Sequence, residues 1–143
     1  MSIPVRNANT TTRSVVEHQV LKRYVDSVSQ RSFRFAEPEV KSRFHRDSRM
    51  VLRILAKKLD LPVGGYSIRS HMGELTEPGS ITLQLPAGSI QILQANLCRD
   101  IQIKIRRYGG PGYRLLLASH TAPVAALLDV DYLVRRIKPI LSL

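Results

Sequence analysis

Residues 101–114 read IQIKIRRYGGPGYR. Ile101, Ile103 and Ile105 alternate with Gln102, Lys104 and Arg106, and Tyr108 extends the second set. A period of two puts the isoleucines on one face of a strand and the polar residues on the other, as in a sheet buried on one side only. The glycine-rich run 109–112 follows at once and is short enough to close a hairpin. The strand before it and the strand after it are therefore antiparallel neighbours.

Working outward, the same kind of run recurs between turn residues. Residues 66–70, 80–85, 89–93 and 113–119 join 100–108 as expected strands. In 80–85, Ile81, Leu83 and Leu85 alternate with Ser80, Thr82 and Gln84, and residues 86–88 (Pro-Ala-Gly) close a second tight turn. Short connections of this kind predict an antiparallel meander of four or five strands, not parallel units with helical crossovers.

The chain before Gly65 has a different period. Val16, Val20, Leu21, Tyr24, Val25 and Val28 recur at three- and four-residue steps, which predicts a helix over about 13–30 with one buried face. Residues 32–36 read as a connection with Phe33 and Phe35 anchored in the core. Pro38, flanked by Glu37 and Glu39, suits the start of a second helix, which Asp60, Pro62, Gly64 and Gly65 end. A last helix is expected from Asp129 or Asp131, with Arg135, Arg136 and Lys138 near its negative end and Pro139 at its stop. Residues 1–12, polar and without periodicity, read as a flexible arm, leaving 13–143 as one α+β domain: two N-terminal helices, the meander and a C-terminal helix.

Charge narrows the partner class. Against 11 Asp and Glu stand 22 Lys and Arg, giving +11 and a pI of about 10.5. Arginine dominates the cations, and its planar fork suits phosphates and guanine edges. On the second helix Arg46, Arg49, Arg53 and Lys57 fall within one arc opposite the apolar side, where they could follow a phosphate backbone. A solvated helix face would look similar, except that 41–58 hold seven basic residues and a single acid, Asp47. The second candidate site is the hairpin itself: Lys104, Arg106, Arg107, Tyr108, Tyr113 and Arg114 combine phosphate contacts with tyrosine faces for stacking. Glycines there also serve the turn, and paired tyrosines would stabilise the sheet.

No residue set spells out catalysis, and no cofactor or metal is expected. His45-Arg46-Asp47 copies three letters of a kinase catalytic loop without the glycine-rich loop or the Asp-Phe-Gly that such chemistry needs. His71 and Glu74 lack a third ligand and read as a surface loop. Ser119-His120 has no nucleophile elbow. The lone cysteine, Cys98, forms no internal disulfide and reads as a small buried hydrophobe in a reducing, cytoplasmic setting. No segment has the apolar length of a signal sequence or a membrane span.

The leading expectation is thus a non-enzymatic nucleic-acid-binding protein, DNA or RNA unresolved. One rival is a structural or assembly subunit of a ribonucleoprotein or viral particle, self-associating through a sheet edge or the first helix. The other is a peripheral binder of anionic membrane, disfavoured because the apolar side of 38–59 is needed for the core.

Overall fold

A computed structural model describes residues 5–29, 37–75, 77–94 and 100–143, with side chains from residue 15 onward. The expected architecture is present. Helices α1 (Val5–Ser29) and α2 (Pro38–Lys58) precede strands β1 (Ser67–His71), β2 (Ser80–Leu85), β3 (Gly88–Gln94), β4 (Ile101–Gly109) and β5 (Leu115–Pro123), and α3 (Val130–Ile140) closes the domain. The strands form one antiparallel sheet in the order β1-β2-β3-β4-β5. Every neighbour in sequence is a neighbour in space.

All three helices gather on one face of the sheet. α2 packs on β1 and β2, α3 on β4 and β5, and α1 on α2 and the 3-10 turn Val124–Asp129. Ile81, Leu83, Ile90, Ile92, Ile101, Ile103 and Ile105 point into this layer and are essentially inaccessible. They meet Leu21, Tyr24 and Val25 of α1, Phe44, Leu52 and Leu55 of α2, and Leu133 and Ile137 of α3 in one core. The opposite face carries polar side chains that are exposed or partly exposed, apart from the buried Ser89.

Several boundaries moved. The backbone of α1 is helical from Val5, eight residues before the expected start at 13, because Asn and Thr carry no core-facing pattern by which a helix could be read. Val16 is half-exposed, and the buried stripe starts nearer Val20. His71 is the last residue of β1, not part of a loop. Pro139 lies inside the last turn of α3, where it has no N–H to offer the Arg135 carbonyl, and the helix runs to Ile140 with Leu141 as its cap. Phe33, Phe35 and Cys98 lie outside the described residues.

Two glycines are required by backbone geometry. Gly110, at φ 73° and ψ −175°, enters the β4–β5 turn in a region open to glycine alone. Gly79, at φ 75°, leads into β2, and a Cβ there would lie 2.0 Å from the His71 carbonyl oxygen. Gly79→Ala is expected to cost about 3 kcal/mol through clash plus left-handed strain, read as a lower urea midpoint at unchanged m-value.

Two polar contacts pin α2 in the core. The Tyr24 and Ser48 hydroxyls are 2.7 Å apart, and burial, more than anything else, pushes the Tyr24 hydroxyl well above its ordinary pKa of 10. The bond to Ser48 pulls the other way, and the Asp47 charge adds to the rise. His45 is buried as well, its Nε2–H donating to the Pro78 carbonyl at 2.7 Å. Nδ1 is buried with no partner among the described residues.

Desolvation lowers the His45 pKa below 6.5, and Lys41, Arg49 and His71 push it the same way while the Pro78 carbonyl opposes. The unfolded chain therefore takes up this proton first as pH falls. The stability that neutral His45 contributes is complete above about 6.5 and declines below it, by at most about 1.4 kcal/mol per pH unit. Urea midpoints at pH 7 and pH 5 should show this slope in the parent chain and a flatter one in His45→Gln.

Candidate functional site

Strand register decides what the open face displays. Arg69 pairs with Thr82, Thr82 with Gln91, Gln91 with Lys104, and Lys104 with Thr121. One step along, Ser67, Gln84, Ser89, Arg106 and Ser119 form a second row across all five strands. Because alternate residues share a face, both rows point away from the isoleucine core. All ten side chains can hydrogen-bond. Three are cationic, and no strand contains Asp or Glu.

Neighbours shape these cations. Arg106 Nη1 lies 3.5 Å from Gln91 Oε1, a long contact that orients the guanidinium across β3 without neutralising it. Serines and threonines flank the longer side chains, so the face has a low floor. Three interstrand steps separate Lys104 on β4 from Arg69 on β1, about 14 Å at roughly 4.8 Å per step. A linear polyanion crossing the strands would meet both.

The hairpin residues divide. Alternation places Tyr108 on the open side with Lys104 and Arg106, and its amide donates to the Ala87 carbonyl at 2.7 Å. Arg107 faces the helical side instead. Its guanidinium bonds the Ser142 hydroxyl just past α3, and its Nε is buried without a partner among the described residues. That arginine ties the C-terminal segment to the sheet. Tyr113 and Arg114 are exposed at the turn, Tyr113 at φ 55°.

The α2 stripe is less free than its sequence implies. Lys57 Nζ lies 3.5 Å from Glu17 of α1, and Lys58 reaches both Glu17 and Asp131 at 3.4 and 3.6 Å. Arg49 Nη1 donates to Ser70 Oγ on β1 at 3.3 Å, while Arg46 makes a long contact with Asp47 at 3.5 Å. Arg46 and Arg53 are exposed, as is Lys57. The Arg49–Ser70 bond places the stripe along the β1 edge, one residue from Arg69 on the other face. The two cationic surfaces thus meet around that edge.

Arg69 was absent from the sequence-based candidates, as were Gln91 and Thr82. Alternation in 66–70 and 80–85 puts them on the polar faces of their own strands. Their alignment with Lys104 depends on strand order. Among the described residues, no group of three or more His, Cys, Asp or Glu is placed to hold a metal ion, and no helix is long and apolar enough to cross a membrane. Comparison with family models, curated proteins and solved structures gives no match for this chain.

Proposed function

We propose that the protein binds nucleic acid without acting on it chemically, using the open face of the sheet as the main contact surface. The observation that carries this reading is the pair of five-residue polar rows with Arg69, Lys104 and Arg106 on strands devoid of acids. Cations without local counter-charges raise a positive potential that phosphates offset, while Ser, Thr and Gln supply shorter-range hydrogen bonds. Arg46 and Arg53 extend the track around the β1 edge. Tyr108 supplies a ring beside it for stacking. Against α2 itself lying on lipid, its apolar side is buried in the core.

The test is a fluorescence-polarisation titration of labelled single- and double-stranded DNA and RNA at roughly 50 and 200 mM salt. Three phosphate contacts should weaken single-strand binding about 20-fold over that interval. Absence of binding at the lower salt, or a change of less than about three-fold, would remove the proposal.

A further inference from the structure

The sheet has two edges of different character. β1 is five residues long, carries the exposed Arg69 and has Arg49 bonded to its Ser70. Short, charged edges resist further pairing. β5 runs nine residues, LLLASHTAP, with no Lys, Arg, Asp or Glu, and among the described residues pairs only with β4. Among the described residues its other side has no strand partner, and the regular ladder runs from Ala118 to Pro123, because the register with β4 shifts at Leu117. Leu115, Leu116 and Leu117 stand 57, 55 and 54% exposed on it. Above the same edge, on the helical side, a groove of about 300 Å³ lies between His120, Ala122, Ala126, Tyr132, Leu133 and Arg136.

We infer that β5 pairs antiparallel with β5 of a second copy, joining two five-stranded sheets into one of ten strands. An antiparallel strand pair is self-complementary about a two-fold axis, so one edge serves both copies. Charge selects the same occupant. Two molecules of +11 repel over most of their surface, and this strip is where a copy can approach with no cation on the strand, whereas a partner drawn by acidic charge would be steered elsewhere. An edge about 30 Å long, with two layers about 10 Å apart, buries on the order of 600 Å² per copy and about 1,200 Å² in all, the lower end for a specific interface. A two-fold axis normal to the sheet keeps both open faces on one side and doubles the cationic surface. The pairing itself does not depend on what that surface binds.

The test is the solution mass of the full chain without nucleic acid, at roughly 100 µM and at two salt concentrations. Twice 16.1 kDa, or 32.2 kDa, is expected, with tighter association at high salt as like charges are screened. Leu116→Lys and, separately, Thr121→Lys, both at exposed positions along the edge, should return the mass to 16.1 kDa with an unchanged circular dichroism spectrum. A parent chain at 16.1 kDa throughout would overturn the inference, as would a larger mass that neither variant alters. So would a monomer whose flotation with phosphatidylserine vesicles is lost in Leu116→Lys, since the leucines would then serve lipid.

Discussion

Arg69→Gln, Lys104→Gln and Arg106→Gln combined should lower the affinity for single-stranded nucleic acid about 50-fold at roughly 0.15 M salt. Each phosphate contact contributes about 0.7 to the slope of log affinity against log salt, so losing three flattens that slope by about 2. Glutamine keeps hydrogen-bonding capacity without the charge, and none of the three side chains belongs to the core, so the thermal midpoint should hold. The control is Arg46→Ala with Arg53→Ala on α2, expected to cost no more than about 10-fold. If the helix pair proves the more damaging, phosphate contact lies on α2 and the open sheet face is merely solvated. Equal affinity in all three proteins would place the anion on neither surface.

Ile103→Ala carries the largest expected effect on stability. Ile103 is 0% exposed, sits on a central strand between Ile92 and Ala122, and faces the helical layer. Removing its branched side chain from a closely packed site costs about 4 kcal/mol, transfer and cavity terms together. Against a total stability of about 5–15 kcal/mol this is a large fraction, equivalent to roughly a 12 °C fall in Tm for a chain of this size. Val63→Ala, at a fully exposed position, should stay within about 0.5 kcal/mol. A shift of under 1 kcal/mol for Ile103→Ala, measured by urea unfolding at constant m-value, would mean that the isoleucine face is not the one that holds the domain together.

Much of this was legible because the informative signals are local. The alternation Ile101, Ile103, Ile105 is a property of five consecutive residues, and the glycines at 109, 110 and 112 permit the turn that reverses the chain. The α2 periodicity located a helix within one residue of its observed end. Where boundaries slipped, the local signal was silent, as in the Asn- and Thr-rich first turns of α1.

The candidate site was legible by type and not by position. Lys57 and Arg53 are both cations on one arc of α2, yet Glu17, forty residues earlier, lies beside Lys57, and among the described residues no ion pair engages Arg53. Arg106 and Arg107 are adjacent in sequence and end on opposite faces, one over the open sheet and one bonded to Ser142. His45 and Asp47, two letters apart in a triplet that resembles catalytic machinery, separate into a buried imidazole on the Pro78 carbonyl and a half-exposed carboxylate beside Arg46.

The sequence by itself determined the α+β class, the meander, the three helices and a surplus of positive charge, because periodicity, turn residues and formal charge are read within a few residues of one another. Tertiary structure alone decided which cations are left unneutralised, that Arg69 aligns with Lys104 across four strands, and that β5 keeps a free edge. Each of these depends on pairing between segments far apart in the chain, where strand register and helix packing, not local composition, set the distances over which charges and hydrogen bonds act.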